Sequence, residues 1–154
     1  MANQSETSPH SPPRIAVLHI PHSSRLVPPD ERGAIQLDDP ALAIELLRMT
    51  DAYTDLLFPA TAVEAGRLVF PVSRLVCDVE RFPSDADEPM AARGMGALYV
   101  RTSSGEVLRG PQDGAVRDRL LERWYRPHHS ALEAMVHEVA ESGICLLVDC
   151  HSFP

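Results

Sequence analysis

The stretch Ile144-Cys145-Leu146-Leu147-Val148-Asp149-Cys150-His151-Ser152 decides the fold class. Its apolar run is short and follows Gly143, so it reads as a buried strand rather than a helix. At its carboxyl end it delivers an acid and a histidine. A matching piece lies near the start, where Ile15-Ala16-Val17-Leu18 runs into His19-Ile20-Pro21-His22-Ser23-Ser24. Two strand ends tipped with histidine are what a metal site at the edge of an α/β sheet requires. In a strand, Asp149 and His151 share a face, and the acid can orient the imidazole. The alternative is a strand end that simply frays. His22 either faces a cleft and a cation or hydrogen-bonds its own loop, and His19 continues the strand as a structural histidine.

Between these strands, Asp39-Pro40 opens a helix with Asp39 as cap and Pro40 at its first position. Leu42, Leu46, Met49 and Tyr53 recur at helical spacing, so the helix runs toward Leu57 or breaks near Thr50, and Pro59 ends it. Residues 61–64 and Leu68-Val69-Phe70 read as strands separated by Ala65-Gly66. Val72 to Val79 is a strand or a loop entering one. Pro83, Pro89, Gly94 and Gly96 make residues 82–96 a long loop, of the kind that often carries function. Ala97 to Val100 reads as a short strand. From Gln112 to Glu141, Val116, Leu120, Trp124, His128, Leu132, Met135 and Val139 form one helical stripe, with Pro127 forcing a kink or break. The order predicts an α/β fold, a mixed β-sheet flanked by helices.

A chain of 154 residues is one domain by size. The polar, Ser- and Pro-rich segment 1–13 reads as a disordered tail without a signal peptide's apolar core, leaving 14–154 as a single α/β domain. With 44% hydrophobic and 23% charged residues the class is soluble and globular, and no apolar run approaches a membrane span. A net charge of −8 argues against nucleic acid, which needs clustered basic residues. Arginine supplies the basic charge, and one placed guanidinium can hold a carboxylate bidentately, so a small anionic substrate fits. Cys77, Cys145 and Cys150 are odd in number and lack CxxC spacing. They read as reduced, partly buried thiols of a cytoplasmic protein rather than as zinc ligands.

Three further constellations carry chemistry. Asp51 and Asp55, at i and i+4, lie on one helical face if the helix continues, and their mild repulsion calls for a cation or an arginine. The alternative is a solvated face. In Ser73-Arg74-Leu75-Val76-Cys77-Asp78-Val79-Glu80-Arg81, extended chain puts Arg74, Asp78 and Glu80 on one side. The Arg–Asp pairing is either an internal brace or a substrate-carboxylate clamp. In Trp124-Tyr125-Arg126-Pro127-His128-His129, His128 sits on the apolar stripe as a core histidine. His129 lies about 100° round the helix and reads equally as a structural or a site residue.

Together these pieces resemble the N-formylglutamate amidohydrolase family. The likeness runs through Ile20-Pro21-His22-Ser23-Ser24, Thr50-Asp51 with Asp55-Leu56, the Ser73–Arg81 element, Arg93-Gly94-Met95-Gly96-Ala97-Leu98-Tyr99, Tyr125 to Leu132, and Asp149-Cys150-His151-Ser152. It implies hydrolysis of N-formyl-L-glutamate, or a related N-acyl amino acid, to formate and L-glutamate in histidine catabolism. It also implies a fold related to the zinc carboxypeptidases and aminoacylases, and a divalent metal, zinc first. Carried over by position, His22, Asp51 and His151 are metal ligands, and Arg74, Asp78 and Arg81 bind substrate. His129 and Asp55 are the catalytic candidates. Family members continue past the last strand, so the chain reads as a fragment or as a truncated form, with a binding or vestigial domain as the alternative function.

Overall fold

Ala16–Ile20 (β1) is the axis of the molecule. All five side chains are buried, as continuous apolar and β-branched character demands of a central parallel strand. The computed structural model describes residues 15–59, 65–141 and 143–153. The expected tail at 1–13 and strand at 61–64 lie outside the described residues. Ala65–Val69 (β2) and Leu146–Asp149 (β3) flank β1, both parallel to it, in the order β2-β1-β3. The expected mixed sheet is therefore corrected: the three described strands are all parallel. Helical segments carry the chain from β1 to β2 and from β2 to β3, as parallel neighbours need.

Ala65-Gly66, where a break is expected, are the first two residues of β2. A Cβ on Gly66 would sit 2.7 Å from Met135 Cε, so glycine here marks the close approach of a helix, not a turn. β3 departs from expectation in burial. Leu146, Leu147 and Val148 are 57%, 48% and 38% exposed, and among the described residues β3 pairs with β1 alone.

The first long helix, Asp39–Arg48 (α2), follows a single turn at Pro29–Arg32 (α1). Its cap is Asp38, whose carboxylate accepts the Ala41 amide at 2.8 Å, one residue earlier than the sequence suggests. The helix stops before Leu57. Tyr53 adopts a left-handed φ of 65°, and a separate turn, Thr54–Leu57 (α3), starts after it. Asp51 thus lies outside any helix, and the expected shared face with Asp55 does not form.

Residues 72–79 take the loop alternative, and 97–100, expected as a strand, form bends; both segments are largely buried. The Gly94 carbonyl takes both the Val100 and Arg101 amides, at 2.8 and 3.0 Å, so the chain closes a loop where a ladder was expected. Phe70, Val72, Val76, Val79 and Leu98 still build one core cluster with Leu120. The C-terminal helix changes its hydrogen-bond pattern just ahead of Pro127. Gly114–Leu120 (α4) passes through a π turn at Leu121–Tyr125 into Arg126–Ala140 (α5). Its stripe is inward, with Leu120, His128 and Val139 buried. No described helix is long and apolar enough to cross a membrane. Cys77 and Cys150 are buried free thiols, and burial pushes the Cys77 thiol up to about 12.

Candidate functional site

β1 and β3 end side by side, and ligands of open parallel sheets gather at such carboxyl ends. Backbone hydrogen bonds fix the segment beyond each strand. Cys150 N donates to His19 O at 2.8 Å, and Asp51 N donates to His22 O at 3.0 Å. The loop after β1, the residues ahead of α3 and the end of β3 are thereby tied together before any side chain is considered.

Three side chains then converge. Donor atoms of His22, Glu80 and His151 all lie within 4.8 Å of one another. His22 is almost wholly buried. Its Nε2–H donates to Asp78 Oδ1 at 2.9 Å, and its Nδ1 lies 3.2 Å from Glu80 Oε2 with no hydrogen-bond partner. His151 Nδ1–H donates to Asp51 Oδ2 at 2.7 Å, while its Nε2 faces Glu80 Oε1 at 3.0 Å. Each imidazole is thus gripped on one nitrogen by its own carboxylate and turned with the other toward Glu80. Burial disfavours the charged form of His151, but the hydrogen bond to Asp51 and the charge of Glu80 prevail, so its pKa is raised.

Asp78 is the hub behind His22. Its Oδ2 accepts Arg74 Nε and Nη2 at 3.2 and 2.7 Å and the Tyr99 hydroxyl at 2.6 Å. Its Oδ1 also accepts the Glu80 amide at 3.0 Å. Burial works to raise its pKa. The His22 hydrogen bond and the Arg74 charge outweigh that and hold the carboxyl well below the usual range. Arg81 Nε lies 3.6 Å from Asp78 Oδ2 without a hydrogen bond. Arg74, Asp78 and Arg81 therefore meet as one cluster, with Arg74 turned inward as a brace.

The remaining sequence candidates fall around this centre. Asp51 touches His151 and lies 4.0 Å from His22 Nδ1. Asp55 is in the first turn of α3, beside a hollow shared with Tyr53. His129 donates Nε2–H to Val79 O at 2.8 Å and packs on Tyr125 at 4.3 Å between ring centroids. Asp149 pairs with His19 Nδ1 at 2.7 Å rather than with His151, because register sets it opposite His19. His19 Nε2 lies 2.8 Å from His128 Nε2, a buried histidine pair in which burial and its neighbours push His128 down to about 3. Glu80 also approaches His19 and Asp149, but both nitrogens of His19 are already engaged. Sequence reasoning missed Glu80 as a donor. The signal was its closeness to Asp78 in sequence: the turn at 79–80 bonds the Glu80 amide to Asp78 Oδ1 and brings the Glu80 carboxylate to the other nitrogen of His22.

A model of the N-formylglutamate amidohydrolase family matches residues 15–154. The chain belongs to that family. The fold is similar to the crystal structure of N-formylglutamate amidohydrolase from Ralstonia eutropha JMP134, at 21% identity and a TM-score of 0.79, over 95% of this chain and 56% of that one. It is also similar to a gene product of Agrobacterium tumefaciens, at 23% identity and a TM-score of 0.70, over 90% of this chain and 52% of that one. This N-formylglutamate amidohydrolase family chain thus spans about half the length of the solved relatives, and at these identities the likeness is one of fold. No curated protein matches it significantly.

Proposed function

We propose that the chain hydrolyses the amide of N-formyl-L-glutamate, or a related N-acyl amino acid, with a divalent cation, zinc first, held by His22 Nδ1, His151 Nε2 and Glu80. One observation carries the reading. His22 Nδ1 is a buried polar atom without a hydrogen-bond partner, aimed at a carboxylate and a second imidazole. Native interiors rarely leave such an atom alone. Two histidines and one carboxylate are a recurrent zinc donor set, and carboxylates on their far nitrogens fix tautomer and orientation. Asp78 and Asp51 fill those supporting positions, so Asp51 acts through His151.

When bound, zinc supplies Lewis acidity, polarising the acyl oxygen and acidifying a water. The chain's own groups do the rest. Arg74 locks Asp78 and hence His22. Arg81, a quarter exposed and with Nε unbonded, offers donors to a substrate carboxylate. We assign proton transfer toward the leaving nitrogen to His129, which is anchored on Val79 O one residue before Glu80 and borders an open hollow of about 300 Å³, with Asp55 as the alternative. The same reading extends to the architecture, whose parallel strands carry donors at their carboxyl ends in the manner of a zinc-carboxypeptidase relative.

The test is formate release from N-formyl-L-glutamate, abolished by a chelator and restored by zinc. Activity that survives thorough demetallation removes the cation from the account. A second reading, favoured by the unbonded Arg81 Nε beside Asp78, is that this part binds the anion without turnover. Binding of substrate by the zinc-loaded chain with no formate produced would select it.

A further inference from the structure

A hollow of about 530 Å³ adjoins the histidine–carboxylate centre, lined in part by Arg48, Thr50, Ala52, Tyr53 and Ser152. Thr50 and Ala52 flank Asp51, and Ser152 follows His151, so the hollow opens directly beside the two residues that are already paired. Ser152 Oγ donates to Ala52 O at 3.0 Å and closes that wall.

Its chemistry is specific. Its walls are largely apolar, and Arg48 is their only ionisable side chain apart from the Tyr53 phenol. Among the described residues Arg48 has neither an ion pair nor a hydrogen bond, whereas most described arginines are engaged. As the last residue of α2 it suits the helix dipole, but no carboxylate answers it. The neighbouring hollow around Arg25 differs, because Asp55 lines it. Tyr53 stands between the two hollows. It is 70% exposed, and its left-handed backbone is costly for a bulky side chain. Such strain survives only where surroundings enforce it, and it gathers at ligand-binding segments.

We infer that this hollow is the subsite for the substrate's acidic side chain, with Arg48 receiving its terminal carboxylate and Tyr53 walling its methylene arm. A short apolar arm ending in one carboxylate matches a mostly apolar recess with one unpaired guanidinium. The inference rests on the hydrolase reading for the identity of the ligand. It makes Arg48 a specificity-determining residue for glutamate over neutral amino acids.

The test is calorimetric titration of the chelator-treated chain, in which nothing turns over, with N-formyl-L-glutamate and with its neutral isostere N-formyl-L-glutamine. The wild type should prefer the glutamate ligand. Arg48→Gln should weaken that ligand roughly tenfold to hundredfold, the loss expected for one charge-assisted hydrogen bond, and leave the glutamine ligand unchanged. Arg93→Gln, an exposed and equally unpaired arginine away from the hollow, should change neither. No preference in the wild type, no binding, or a preference that survives Arg48→Gln overturns the subsite. Formate release by zinc-loaded samples reports separately on the hydrolase reading, which fails if bound N-formyl-L-glutamate yields no formate while the Arg48 effect stands.

Discussion

Replacing Asp78 by asparagine tests how the site is held. Asp78 is fully buried and accepts five donors: two from Arg74 and the Tyr99 hydroxyl on Oδ2, and His22 Nε2 and the Glu80 amide on Oδ1. Asparagine keeps one acceptor oxygen and turns an NH₂ group toward the other set of donors. Whichever way it flips, at least two donors lose their acceptor, and Arg74, only 15% exposed in its side chain, loses its counter-charge. Breaking one side of a buried ion pair costs about 3–5 kcal/mol. Total stability for a domain of this size is roughly 5–15 kcal/mol. At pH 7 the urea midpoint should therefore fall by ~1 M or more, given slopes of about 1–3 kcal/mol per M. The pH dependence has a definite sign. The folded-state pKa of Asp78 lies below its ordinary 3.8, so its contribution is fully present above that value and is lost as pH falls below it. The gap between wild type and Asp78→Asn should stay constant from neutral pH down to about 4 and narrow in stronger acid. A variant within 1 kcal/mol of wild type at pH 7 would refute the bracing role.

His128→Phe should remove an acid sensitivity. Because the His128 pKa is depressed from 6.5 to about 3, its stabilising effect is complete above 6.5 and fades as pH drops toward 3. The thermal midpoint of wild type should thus fall relative to that of the variant between pH 7 and pH 4. Tyr53→Gly should stabilise the fold by about 1–2 kcal/mol, since glycine accepts φ 65° freely, while weakening N-formyl-L-glutamate binding. Thermal unfolding and calorimetry together check it. Gly94→Ala should destabilise by roughly 2 kcal/mol or more, because φ is +74° and a Cβ would lie 2.4 Å from Arg101 Cγ. Chemical denaturation measures that loss. Leu147→Lys, at an exposed position of β3, should leave the unfolding free energy within about 0.5 kcal/mol of wild type, as chemical denaturation would show.

The strands that carry the site were legible because their signals are local. The apolar run before Asp149 and the one before His19 each end in polar donors, and the fold sets those ends side by side. The inward stripe from Val116 to Val139 and the disturbance at Pro127 were equally plain, since both follow from helical period and a missing amide. What failed depended on distant partners. Gly66 reads as a break until Met135 is known to press on it. Residues 97–100 alternate like a strand, but Gly94 folds the chain back and takes their hydrogen bonds. The sense of each strand was not local either, so the mixed sheet proved parallel. Burial of the last strand was misjudged for the same reason: Leu146, Leu147 and Val148 are apolar, yet among the described residues β3 has β1 as its one neighbour.

At the site, the nearness of His22 and His151 follows from the two strand ends, whereas the position of each carboxylate does not. Asp51 and Glu80 are both acids near His151, and only side-chain geometry separates the one bonded to Nδ1 from the one facing Nε2. Asp149 shares a strand face with His151, but register pairs it with His19. The Arg–Asp element was open between brace and clamp, and Arg74 now stands as a brace.

Zinc titration of the metal-free chain, followed by calorimetry in wild type and Glu80→Gln, tests the centre most directly. One equivalent should bind the wild type, Glu80→Gln should lose most of the affinity, and Asp51→Asn should lose about 10–100-fold, the usual toll for disturbing a supporting partner. Equal zinc affinity in wild type and Glu80→Gln would contradict the placement of the cation between His22, Glu80 and His151.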